Sequence, residues 1–125
     1  MRIRVYYEDT DCGGIVYHSN YLKFCERARS EMFFGKGKMP YNQNLGFVVK
    51  SLNADFIKSA RLGDELIVKT EVLELKKVQL TLRQEVFKGE EKIFAMNVKL
   101  GFIDFERGKP SEITQEFLEV LECKR

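Results

Sequence analysis

The chain contains no apolar run that approaches the twenty or so residues a membrane-spanning helix requires, which argues against insertion into a bilayer. It also lacks any basic run interleaved with stacking aromatics. Lys and Arg are scattered among Asp and Glu, and the formal net charge of +2 is too near balance to argue for nucleic acid. Cysteine is scarce: Cys12, Cys25 and Cys123 are odd in number and far apart, which suits reduced thiols in a cytoplasm rather than a disulfide framework. No Cys/His cluster fits zinc, and His18 is the only histidine. The opening residues, MRIRVYY, run straight into a strand-like pattern without the apolar h-region of a signal peptide. These absences leave a soluble, cytoplasmic chain of 125 residues. That is one domain, 1–125, long enough for a core without disulfide staples.

What is present is concentrated in one stretch, VYYEDTDCGGIVYHSNYLKFCERARSEM, from Val5 to Met32. A β-rich start enters the acidic turn Glu8-Asp9-Thr10-Asp11, then the pair Gly13-Gly14, then an amphipathic helix beginning near His18 to Asn20. The start of such a helix offers N–H groups without intrahelical partners and a positive dipole end. An acyl carbonyl held there would be polarised, while Asp11 attacks it or activates a water. The plainer alternative is that Asp9 and Asp11 only shape a polar turn and cap local N–H groups, and spacing alone favours it. Cys12 beside His18 suggests a thiol nucleophile with its base, but no third orienting group is evident, and an incidental loop thiol is the simpler reading. Asp9-x-Asp11-x-Gly13-Gly14 half-matches a calcium loop. That pattern wants an acid or carboxamide at Gly13 and a bidentate Glu at Asn20, so no metal is expected.

Along the chain, Arg2 to Tyr7 reads as a short strand. Tyr21, Phe24, Cys25, Ala28 and Met32 recur at helical spacing, and Gly35, Gly37 and Pro40 end that helix. Met39 to Gly46 reads as a loop. Four extended segments follow, roughly Phe47 to Lys58, Asp64 to Leu75, Val78 to Lys88 and Lys92 to Phe105. Alternation is clear in the last two and blurred in the first two, which points to bulges or a subunit contact. Ser111 is the expected N-cap of a final short helix with Ile113, Phe117, Val120 and Leu121 on its apolar side. The order implies an α+β fold: a five-stranded antiparallel sheet wrapped on one long central helix, plus the short C-terminal helix. One sheet edge is left unpaired, which invites dimerisation.

The run YYEDTDCGGIVYHSNYLKFCERARSEMF resembles the YbgC-type branch of the 4-hydroxybenzoyl-CoA thioesterase family, and the resemblance continues through ARLGDELIV at Ala60 to Val68 into the later strands. The resemblance implies the hot-dog fold, with subunits paired edge to edge as a homodimer or homotetramer. It implies hydrolysis of acyl-CoA thioesters with no cofactor. The family's catalytic carboxylate falls on Asp11, and the helix-start N–H groups at His18 are implied to polarise the carbonyl. Tyr7, Gly14 and Tyr17 match positions that shape the substrate site, and Lys76 and Lys77 correspond loosely to the cations that hold CoA phosphates. Cys12 stands where relatives usually carry Ala or Pro, and Ser59 where a proline is common; neither change removes a functional group. Acyl-chain preference would rest on side chains such as Tyr17, Phe24, Phe47 and Phe56. Two other classes are carried beside the thioesterase: a hot-dog dehydratase using a histidine, and a non-enzymatic adaptor that binds acyl carrier protein in envelope lipid metabolism.

Overall fold

The computed structural model describes residues 1–123. Its elements are β1 (Arg2–Arg4), a 3-10 turn (Tyr7–Asp9), α1 (His18–Phe34), β2 (Tyr41–Asn42), β3 (Leu45–Phe56), β4 (Glu65–Leu75), β5 (Gln79–Lys88), β6 (Glu91–Asp104), β7 (Lys109–Pro110) and α2 (Gln115–Val120). The strands form one antiparallel sheet in the order β1-β4-β5-β6-β3-β2, with β7 paired to the end of β6. Seven strands thus replace the expected five. The two additions are two-residue strands in turns, where Tyr41–Asn42 folds back on Leu45–Gly46 and Lys109–Pro110 folds back on β6. The first strand is also shorter than expected, because Tyr7 turns into the 3-10 segment.

α1 lies across one face of this sheet. Tyr21, Phe24, Cys25 and Ala28 are buried against Leu66, Val68, Leu82, Val86, Phe94, Met96 and Val98. At its C-terminal end Phe33, rather than Met32, is the fully buried residue, since α2 docks there and brings Phe117 within 5.7 Å of the Phe33 ring. Ser111 does not cap α2. Its N–H donates to the Phe102 carbonyl as β7 leaves the sheet, and Thr114 occupies the N-cap position. Ile113, Phe117, Val120 and Leu121 are buried, as the periodicity requires.

The blurred alternation in β3 has a local cause. Val49 pairs with Leu100 and Ser51 with Lys99, so Lys50 is an extra residue in the ladder. The bulge reverses the parity of the strand. Phe47 and Val49 before it, and Leu52 and Phe56 after it, therefore all face the groove beside α1. A similar irregularity between Val72 and Glu74 blurs β4. Among the described residues the outer edge of β3 beyond Gly46 has no strand partner, and Val48, Val49, Leu52 and Phe56 are exposed along it. Among the described residues no helix is long and apolar enough to cross a membrane.

Candidate active site

The acidic turn is fastened on both flanks before α1 begins. Asp11 N–H donates to the Ile15 carbonyl, and Gly14 N–H to the Asp11 carbonyl, which closes the turn on itself. Val16 N–H then reaches the Ala60 carbonyl, and Leu62 N–H the Gly14 carbonyl, tying the turn to the segment that leads into β4. Gly14 has φ +77°, a left-handed conformation that a side chain would strain.

The two aspartates of this turn have separate tasks. Asp9 is 2% exposed: one carboxylate oxygen accepts the Tyr6 N–H at 2.9 Å and the other accepts Asn20 Nδ2 at 2.9 Å. Its carbonyl also takes the Tyr17 N–H at 3.0 Å. Asp9 thereby locks the turn to the first turn of α1. Asp11 is exposed and lines the cleft described below, and its Oδ1 accepts the Gly13 N–H at 2.8 Å, which fixes the carboxylate's direction. A Cβ at Gly13 would sit 3.3 Å from that Oδ1, so the glycine gives the carboxylate its room.

A cleft of about 340 Å³ lies against Asp11 and is lined by Tyr17, His18 and Tyr21 of the helix start, and by Phe56 at the end of β3 with Ile57, Lys58 and Ser59 after it. α1 has no side-chain cap and no acid in its first turn. With the Tyr17 N–H held by Asp9 and the Asn20 N–H by the Tyr17 carbonyl, the N–H groups of His18 and Ser19 are the ones left without an intrahelical carbonyl. The aromatic wall is tight: Tyr17 and His18 rings lie 4.3 Å apart, and Phe56 meets Tyr21 at 5.9 Å and Phe94 at 5.1 Å. Tyr21 Oη accepts the Ala60 N–H at 2.9 Å, and burial pushes its phenol pKa up, so it faces the cleft as a neutral hydroxyl.

Of the residues singled out in the sequence, Asp11, Tyr17 and His18 line this cleft, and Gly14 lies outside its lining, where its N–H donates to the Asp11 carbonyl. Tyr7 is exposed on the 3-10 turn, outside the cleft lining, where its carbonyl accepts from Thr10. Cys12 is exposed on the turn and does not line the cleft. Lys76 and Lys77 sit in the β4–β5 hairpin, and β4 runs roughly 33 Å from Glu65 beside the turn to Leu75 before that hairpin. Within one chain they and Asp11 are at opposite ends of the sheet. The cation on the cleft wall is Lys58, which pairs with Glu91 at 2.6 Å; nothing in its sequence context marked it. Phe56 lines the cleft with Tyr17, while Phe24 is fully buried and Phe47 lines a different cavity. Among the described residues no cluster of three or more His, Cys, Asp or Glu could hold a metal ion.

Residues 13–95, more than half of the chain, match the family model for the thioesterase superfamily. The chain belongs to that superfamily. An acyl-CoA thioesterase YbgC of Helicobacter pylori is 45% identical over 97% of this thioesterase and 98% of the relative. The acyl-CoA thioesterase YbgC of Haemophilus influenzae is 40% identical over 91% of this chain and 87% of its own. Among solved structures, a probable thioesterase from Bartonella henselae superposes with a TM-score of 0.85 at 31% identity, covering 91% of this chain and 97% of the other. The curled antiparallel sheet around one long helix is thus the hot-dog fold of this thioesterase's relatives.

Proposed function

We infer that this thioester hydrolase acts on acyl-CoA, with Asp11 as the catalytic carboxylate and the N–H groups at the start of α1 as the oxyanion site. The observation that carries this reading is the pairing in one cleft of an open, directed carboxylate and an uncapped helix N-terminus. In one route an Asp11 oxygen attacks the thioester carbon. The C–S bond breaks with its electron pair leaving on CoA thiolate, and water then hydrolyses the acyl–Asp11 anhydride. In the other, Asp11 takes a proton from water as that water attacks the same carbon. Both routes place the developing oxyanion at the His18 and Ser19 N–H groups. Thiolate leaves without much help from a general acid, which suits so spare a cleft.

Thiol release from a panel of acyl-CoAs by the wild type and Asp11→Asn tests the assignment. A loss of about a hundredfold or more in the variant is expected; equal rates would overturn it. Single turnover in oxygen-18 water separates the routes, since label in Asp11 itself marks the anhydride. This reading gives a CoA phosphate to Lys58, the lysine on the cleft wall, which would then leave its pairing with Glu91. The free, apolar β3 edge supports a homodimer formed along it. Three unpaired thiols suit a cytoplasmic site of action.

A further inference from the structure

Three polar side chains are buried among the described residues. Asp9 and Asn20 bond to each other beside the Asp11 turn. The third, Gln84, stands in mid-sheet, on β5 between Thr70 of β4 and Met96 of β6. It shares the inward row of β5 with Leu80, Leu82 and Val86, and it has no solvent exposure. An apolar side chain of that size would fill the same space without the cost of burying an amide. The amide is nevertheless fully used. Its Nε2 donates to the Cys25 carbonyl of α1 at 2.9 Å and to Thr70 Oγ1 at 3.0 Å, while its Oε1 accepts Arg29 Nη1 of α1 at 2.8 Å.

Among the described residues, the bonds of Gln84 to Cys25 and Arg29 are the only side-chain hydrogen bonds between α1 and the strands of the sheet. The other contacts there are apolar, with Phe24 and Ala28 packed in one core with Leu66, Val68, Leu82 and Phe94. Apolar contact is non-directional and tolerates sliding along the helix axis, whereas a hydrogen bond has a set length and angle. A satisfied buried network of this kind specifies one arrangement of the elements it joins. Gln84 therefore sets where α1 lies along the sheet.

That placement is felt at the Asp11 cleft, which begins roughly 10 Å along α1 from Cys25, at His18. One wall of the cleft is the Asp11 turn with the start of α1. Asp9 fastens these together, since its carboxylate accepts Asn20 Nδ2 and its carbonyl accepts the Tyr17 N–H. The other wall, Phe56, Ile57 and Lys58, belongs to the sheet: the Ile57 and Lys58 N–H groups both donate to the Ile93 carbonyl of β6. The link between the walls is the loop at Ala60, which bonds to Val16 and Tyr21. We propose that Gln84 is a positioning residue for thioester hydrolysis: by holding the Cys25 carbonyl it sets the spacing of the two walls, and so the fit of the acyl-CoA between them. The inference rests on the Asp11 cleft being the reaction site. Asp11 and the helix-start N–H groups belong to one fastened unit, so loss of the pin should loosen substrate fit more than it slows the chemical step.

The test is steady-state hydrolysis of the acyl-CoA that the wild type turns over best, with urea midpoints measured on the same samples. Gln84→Met is close in size and removes all three bonds; KM should rise at least about fivefold while kcat stays within about twofold. Val86→Ala opens a cavity two positions along the same strand face. It should lower the urea midpoint and leave KM at the wild-type value, because the pin remains. Gln84→Glu keeps the size and the Arg29 contact but, ionised, has no donor for the Cys25 carbonyl. It should raise KM as Gln84→Met does, and it decides the matter if the Met variant does not fold. An unchanged KM in a folded Gln84 variant, or a KM that follows the urea midpoint through all three variants, would overturn the proposal. Asp11→Asn separates this failure from that of the site. Equal rates there would remove the cleft assignment and this inference with it, whereas lost turnover in Asp11→Asn beside an unchanged KM in Gln84→Met would remove this inference alone.

Discussion

The turn before α1 and the middle of α1 each set a fully bonded buried polar group near one that keeps open bonding capacity, and they do so in different ways. At the turn, Asp9 is buried with both oxygens occupied, and its neighbour Asp11 is left open at a fixed angle. In mid-helix, Gln84 is buried with its amide fully engaged, and its neighbour Arg29 is left open at a fixed angle. Gln84 holds Arg29 directly, whereas Asp11 is held by the Gly13 N–H and Asp9 fastens only the turn that carries both aspartates. The surroundings differ as well: Asp11 meets a helix N-terminus and solvent, which suits chemistry on a carbonyl, whereas Arg29 lies between α1 and β3 beside Glu26.

The sharpest way to break this comparison is to make one chemical change in two places. Asp11→Asn should cost about a hundredfold or more in turnover with the denaturant midpoint unchanged. Asp9→Asn should do the reverse. Its new amide would point a donor at either Tyr6 N–H or Asn20 Nδ2, and stability should fall by about 2–3 kcal/mol in urea unfolding. If both variants lose activity at equal stability, the division of labour between the two aspartates is wrong.

A pH series sharpens the other side. Burial pushes the Cys25 thiol from an ordinary 9.0 up to about 12, and burial also raises Tyr21. The folded state then keeps a proton that the unfolded chain releases between these values, so the contribution is complete below about pH 9 and is lost as pH rises toward 12. Urea midpoints should decline over that window at up to about 1.4 kcal/mol per pH unit from Cys25 alone. Cys25→Ala should flatten the early part of the decline, while Asp11→Asn should not affect it. The smallest effect is expected at the turn itself. Gly14→Ala should cost about 1–2 kcal/mol for a side chain at φ +77°, with KM and kcat of the folded fraction reporting how far Asp11 has moved.

Much of this was legible in the sequence because it is periodic or local. The inward set of β6, Phe94, Met96, Val98, Leu100 and Phe102, follows from strict alternation, and the stripe Tyr21, Phe24, Cys25 and Ala28 from helical spacing. Gln84 was not singled out in the sequence: it is the one polar residue at an inward position of β5, between Leu82 and Val86, and alternation says only that such a position is buried and not what it holds. Two-residue strands such as Tyr41–Asn42 carry no period to detect, which is why the strand count was low.

By itself the sequence determined the α+β order, the core and the acidic turn with its glycines, since each depends on neighbours within a few residues. Only the tertiary structure decided which aspartate is free, because Asp9 is claimed by Asn20 eleven positions away on the next element. It alone brought Phe56 and Lys58 to the cleft, set Lys76 and Lys77 at the far end of the sheet, and joined Arg29 to Gln84 across fifty-five positions. Hydrogen-bond partners at such separations are chosen by how α1 lies on the sheet, and no local propensity encodes that choice.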